Sequence, residues 1–203
     1  MKIITAVFGT SSPDLASCPK STLPEFALIG RSNVGKSSLV NMLTRSEGLA
    51  KVSQIPGKTQ LINFFTINGA WNLVDLPGYG FAKVGKKGRR GFSEFVSDYL
   101  RNRPNLLGTF VLIDSRLPPQ DLDLEFLDWM VSSGLAFILV FTKTDSLSKQ
   151  AARKNVAAFL SRMGEITGDP PTHVLSSSWD GSGRADILDL IDAALSEHTD
   201  SHS

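Results

Sequence analysis

Three observations predict an α/β three-layer sandwich with a mainly parallel six-stranded sheet and one antiparallel edge strand. Apolar runs of strand length recur along the chain. Helix-length patterns of mixed polarity separate most of them. One tight hairpin signal, Asn68-Gly69, joins two runs that are neighbours in sequence.

The elements follow in order. "EFALIG" (25–30) reads as a buried strand ending in glycine, and "SSLVNMLTR" (37–45) sets Leu39, Val40, Met42 and Leu43 near helical spacing. "LINFFTI" (61–67) and "WNLVDLPG" (71–78) are the two arms of the hairpin. "GTFVLID" (108–114), "LAFILVFT" (135–142) and "THVLSSS" (172–178) are three further strands, with helical patterns near 91–102, 122–133, 148–164 and 184–196. Parallel neighbours need such crossovers. One domain is expected over 25–196, with an N-terminal extension at 1–24 and a frayed tail at 197–203. There is no internal repeat and no low-complexity tract.

The chain has 203 residues, 41% of them hydrophobic, and no apolar run of membrane-spanning length. The first 20 residues turn polar after Phe8, unlike a secretory leader. A lone Cys18 has no internal disulfide partner, so a cytoplasmic location and an ordinary thiol are expected. Net charge is +1 but unevenly spread: residues 31–103 carry 12 Lys/Arg against 4 Asp/Glu, and residues 104–203 carry 7 against 14. That asymmetry suits either one face for an anionic partner or a solvated surface.

Gly30 to Ser37 matches GxxxxGKS between a strand and a helix. Such a loop turns backbone N–H groups around a diphosphate; Lys36 adds a charge to the outer phosphates, Ser37 a hydroxyl to magnesium, and the helix N-terminus its partial positive charge. Gly35 keeps a Cβ away from the phosphates. "DLPG" (75–78) closes the strand "WNLV", where Asp75 can hold magnesium through a water and the Gly78 N–H can meet a γ-phosphate. "TKTD" (142–145) closes "LAFILVF". Asp145 can accept from the N1–H and exocyclic amine of guanine, a donor pair that adenine lacks, while the Lys143 stem can lie over the base. "SSS" (176–178) follows the last strand, where a backbone N–H can meet the guanine oxygen; which of the three serines supplies it is open. The unpermuted order of these four elements implies a GTPase. Between the first two, Thr59 in "PGKTQLINFF" is the candidate switch threonine; Thr44 and Thr66 share its type but fall inside a helix and a strand.

"GRSNVGKSSLVN", "PGKTQLINFF", "VDLPGYGFAKV", "LIDSRLPPQDLD" and "TKTD" together resemble the EngB (YihA/YsxC) family of bacterial GTPases, from about residue 25 to 191. The resemblance implies a Ras-like P-loop GTPase fold and a role in large ribosomal subunit assembly, with normal cell division and septation depending on it. It implies GTP or GDP at Gly30, Arg31, Ser32, Asn33, Val34, Gly35, Lys36, Ser37 and Ser38; at Gly57, Lys58, Thr59, Gln60 and Leu61; at Asp75, Leu76, Pro77 and Gly78; at Thr142, Lys143, Thr144 and Asp145; and at Ser176, Ser177 and Ser178. Magnesium is implied at Ser37 and Thr59. The chain departs from the family in having Ser146 after the guanine aspartate and in a base turn, "SSSWDGSG", with room for an extra residue.

The catalytic set is read as Lys36, Thr59, Gly78 and Asn33. Tyr79 stands where Ras-like enzymes often carry a water-orienting glutamine, so slow intrinsic hydrolysis and an external aid are expected. Asn33 either helps hold a potassium ion beside the phosphates, with carbonyls near Lys58, or caps its loop locally. "KVGKKGRR" (83–90) places Lys83, Lys86, Lys87, Arg89 and Arg90 directly after the γ-phosphate motif. It is either a grip on the RNA of a large-subunit precursor, tied to the nucleotide state, or a solvated loop. A monomer is expected. The competing function is a GTP-dependent binding module for a protein partner with negligible turnover of its own.

Overall fold

In the computed structural model, residues 1–51, 61–80 and 94–200 are described. Seven strands form one sheet: β1 (Ala6–Ser12), β2 (Glu25–Gly30), β3 (Ile62–Ile67), β4 (Trp71–Asp75), β5 (Leu106–Asp114), β6 (Ile138–Thr142) and β7 (His173–Leu175). The helices are α1 (Lys36–Thr44), α2 (Glu94–Asn102), α3 (Asp121–Ser132), α4 (Lys149–Thr167) and α5 (Arg184–Asp200). The strand order is β1-β3-β4-β2-β5-β6-β7.

The α/β fold is as expected, with two corrections. The sheet has a seventh strand, because residues 6–12 pair antiparallel with β3. The antiparallel strand, β3, is therefore flanked on both sides, and the edge is β1. The sequence hides β1 because an edge strand needs little burial. Val7 and Phe8 are exposed, and Gly9 sits where the register shifts. At the other terminus α5 runs to Asp200, past the point where a frayed tail is expected.

β2 is buried along its whole length, as a central parallel strand must be. Its residues alternate between two cores. Ala27 and Ile29 pack with residues of α2, α3 and α4; Phe26 and Leu28 pack with residues of α1 and α5. β5 repeats this, with Val111 and Ile113 on one face and Phe110 and Leu112 on the other. Three layers follow directly from this period of two. Asn68 (φ 53°) and Gly69 (φ 64°) both adopt left-handed backbone and close the β3–β4 hairpin. At the start of β2, buried Glu25 accepts from Arg103 at 2.6 Å and from the Tyr99 hydroxyl at 2.5 Å, which ties the end of α2 to the sheet. The opposite end of β2 is left to carry the loop at Gly30.

Candidate functional site

The parallel strands β2, β4, β5 and β6 point their C-terminal ends to one edge, and the motif residues gather there. The loop after β2 is tightly cradled. A Cβ on Gly30 would lie 2.6 Å from the Leu112 carbonyl, and one on Gly78 would lie 2.8 Å from the Gly30 carbonyl and 3.1 Å from the Ser32 nitrogen. Only glycine lets these segments meet. Arg31 and Tyr79 pair as an isolated parallel bridge beside that contact. Gly35 (φ 113°) then turns the chain into α1, whose first residue is Lys36.

Asp75, the last residue of β4, is buried, and its Oδ1 has no hydrogen-bond partner among the described residues. Burial pushes its pKa up to about 6, against the opposing pull of the Lys36 ammonium. The Ser37 hydroxyl has no hydrogen-bond partner among the described residues. A buried carboxylate oxygen without a donor among the described residues, together with the hydroxyl of Ser37 next to Lys36 in the chain, fits a hydrated divalent cation. Thr44 and Thr66 are occupied elsewhere: the Thr44 hydroxyl donates to the Val40 carbonyl at 2.8 Å and the Thr66 hydroxyl to Asn72 Oδ1 at 2.9 Å. Gly57, Lys58, Thr59 and Gln60 lie outside the described residues, as do Lys83, Lys86, Lys87, Arg89 and Arg90. Leu61 is exposed immediately before β3.

The "TKTD" segment is bound to the phosphate loop by its side chains. Thr142 Oγ1 lies 2.7 Å from the Val34 carbonyl. Lys143 Nζ donates to the Asn33 carbonyl at 2.5 Å and to Asp114 Oδ2 at 2.9 Å. Asp114 also accepts from Arg116 at 2.8 and 2.9 Å. Burial acts to raise the Asp114 pKa, but the hydrogen bonds from Arg116 and Lys143 prevail and hold it below the ordinary value. The Asn33 backbone is left-handed (φ 62°), and its carboxamide has no hydrogen-bond partner among the described residues.

Asp145 Oδ1 accepts from the Ser177 hydroxyl at 2.5 Å. The Ser176 N–H donates to the Phe141 carbonyl at 2.8 Å and the Ser177 N–H to the Ser182 carbonyl at 3.2 Å. Of the three serines, only Ser178 has a backbone N–H without an acceptor among the described residues. Gly35, Ser38, Thr142, Lys143, Asp145, Ser146, Ser178 and Trp179 line one open recess of about 180 Å³. One pocket thus joins the phosphate loop to the "TKTD" carboxylate and the serine turn. No group of three or more His, Cys, Asp or Glu among the described residues forms a metal cluster. None of the described helices is long and apolar enough to cross a membrane.

Residues 25–143 match the family described as 50S ribosome-binding GTPase. The probable GTP-binding protein EngB of Christiangramia forsetii is 48% identical over 95% of this chain and 97% of its own length; that of Bacteroides fragilis is 46% identical over 97% and 98%. The chain belongs to the EngB family of GTP-binding proteins. A crystal structure of a probable EngB protein shares the fold, with TM-score 0.63 and 22% identity over 85% of this chain and 99% of that one. As an EngB GTPase the protein binds GTP and GDP and hydrolyses GTP.

Four residues at this EngB site were not singled out from the sequence: Asp114, Arg116, Asp123 and Trp179. Asp114 ends buried strand β5 as Asp75 ends β4, and a charge at the C-terminal end of a buried parallel strand is a usable signal. Asp123 accepts from Arg31 and Tyr79 across 92 and 44 positions of sequence, and no local pattern marks it.

Proposed function

We propose that this EngB GTPase is a slow molecular switch that acts on precursors of the large ribosomal subunit in the cytoplasm, as a monomer. The dependence of cell division and septation on it would follow from that role. One observation carries the choice of base: the Asp145 carboxylate, positioned by Ser177, faces the same recess as Ser178, whose N–H has no acceptor among the described residues. Asp145 accepts the two donors of the guanine edge and the Ser178 N–H meets its carbonyl oxygen. The Lys143 stem lies against the base. Lys36 and the N–H groups of Gly30–Ser38 hold the phosphates, and the Gly78 N–H reports the γ-phosphate. Ser37 and Thr59, with Asp75 through a water, would hold magnesium, which offsets charge on the outer phosphates when bound.

The slow rate rests on Tyr79. Its side chain is buried, with its ring stacked on Phe126 at 4.4 Å and its hydroxyl on Asp123 at 2.8 Å. It faces α3, so no side chain at this position orients an attacking water. An external group must do so, supplied by a particle or by a potassium ion at Asn33. The same burial favours a second reading, a GTP-dependent binding module with negligible turnover.

Hydrolysis measured with and without large-subunit particles separates these readings: stimulation of tenfold or more is expected, and an unchanged negligible rate favours the binding module. The basic segment at 83–90 is the proposed contact with ribosomal RNA. Changing Lys86, Lys87, Arg89 and Arg90 to serine should leave nucleotide affinity near normal. If each touches one phosphate, the salt slope of particle binding should fall by roughly 3. An unaltered slope would place the particle contact elsewhere.

A further inference from the structure

Trp179 is 88% exposed, the most exposed large apolar side chain among the described residues. The other two tryptophans, Trp71 and Trp129, are buried at 1% and 8% exposure. A bare indole sets a large apolar area against water, and this one stands on the rim of the nucleotide recess. Its backbone is held in place. The Trp179 N–H donates to Ser177 Oγ at 3.1 Å, and that hydroxyl donates to Asp145 Oδ1 at 2.5 Å. The turn is closed by Gly181 N–H on the Ser177 carbonyl at 3.0 Å and by Ser182 N–H on Asp180 Oδ1 at 2.9 Å. Two hydrogen bonds therefore couple the indole-bearing residue to the carboxylate that reads the base.

We propose that Trp179 is a wall of the base pocket: its indole packs on the purine held at Asp145, with the Lys143 stem as the facing wall. This deepens the guanine-nucleotide reading of the site and rests on it. A base seated edge-on at Asp145 leaves its two faces to be covered. Lys143 is pinned at Asn33 and Asp114, so its stem supplies one cover. Trp179 is the remaining aromatic surface on the recess lining. Stacking on an aromatic ring is indifferent to the pattern of donors on the base edge. Trp179 therefore adds affinity, while Asp145 keeps the selectivity.

The test uses the full chain. GDP affinity is measured by isothermal titration, which does not depend on the indole, and tryptophan emission is followed in parallel. GDP should quench emission, and Trp179→Phe should abolish that change while retaining affinity within about threefold. Trp179→Ala should weaken GDP by about 5- to 30-fold. It should weaken IDP by the same factor, so that the GDP-to-IDP ratio is unchanged. The nucleotide-free thermal midpoint should not move, since an exposed side chain contributes little packing. Normal GDP binding by Trp179→Ala, with no GDP-dependent emission change in the unmodified protein, overturns the proposal. If ribosomal RNA quenches Trp179 in that case, the residue is a partner contact instead. Failure of the unmodified protein to bind GDP would overturn the guanine reading itself, a result distinct from failure at Trp179 alone.

Discussion

The Tyr79 hydroxyl donates to Asp123 Oδ1 at 2.8 Å, and Arg31 Nε lies 3.1 Å from both oxygens of the same carboxylate. Asp123 thereby joins the phosphate loop, the residue after Gly78 and helix α3 at one buried point. Burial raises the Asp123 pKa despite the pull of Tyr79 and Arg31, and burial likewise raises that of the Tyr79 phenol. Both groups therefore depend on each other's hydrogen bond for solvation.

Tyr79→Phe keeps the ring on Phe126 and removes the donor to Asp123. Stability should fall by about 1–2 kcal/mol, because a buried carboxylate loses a partner. Urea denaturation checks this: the midpoint should drop with an unchanged slope. No drop would mean that water replaces the hydroxyl.

Asp145→Asn exchanges an acceptor for a group that can donate, which suits xanthine rather than guanine. GTP affinity should be lost and XTP affinity gained. A nucleotide titration with both ligands decides it, and unchanged GTP binding would remove Asp145 from the base site.

Asn33→Ala tests the potassium reading, which is favoured by a carboxamide with no partner among the described residues. Hydrolysis by the unmodified protein should be faster in potassium than in sodium at equal ionic strength. The variant should lose that difference with nucleotide affinity nearly intact, since Lys143 bonds the Asn33 carbonyl and not its side chain. Equal rates in both salts for the unmodified protein would reject the idea.

Asp114→Asn tests the link between Lys143 and β5. A carboxyl whose folded pKa is depressed stabilises the fold above its unfolded value, here 3.8, and loses that contribution as pH falls through the folded pKa. The unmodified protein should therefore be more stable than the variant at pH 6–8, and the gap should close below about pH 4. Thermal melts across pH measure it. GDP affinity should weaken by about two- to tenfold, because Lys143 keeps only one of its two partners.

The local parts of this protein were determined by its sequence. The strand before Gly30, the left-handed turn at Asn68-Gly69, Asp75 at the end of β4 and Asp145 in the turn after β6 each depend on residues that are neighbours in the chain. A short stretch carries its own backbone requirements and its own burial period, so it can be read alone. Strand β1 could not be read this way, since Val7 and Phe8 face water and leave no alternating signal; its existence depends on a partner 50 to 61 positions away, in β3. The same holds inside the site. Lys143 reaches Asn33 across 110 positions and Tyr79 reaches Asp123 across 44. Ser178 differs from its two neighbours only in that the Ser176 and Ser177 N–H groups already meet the carbonyls of Phe141 and Ser182. Hydrogen bonds are satisfied by whatever the fold brings within about 3 Å, and that proximity is a property of the packed sheet rather than of any segment.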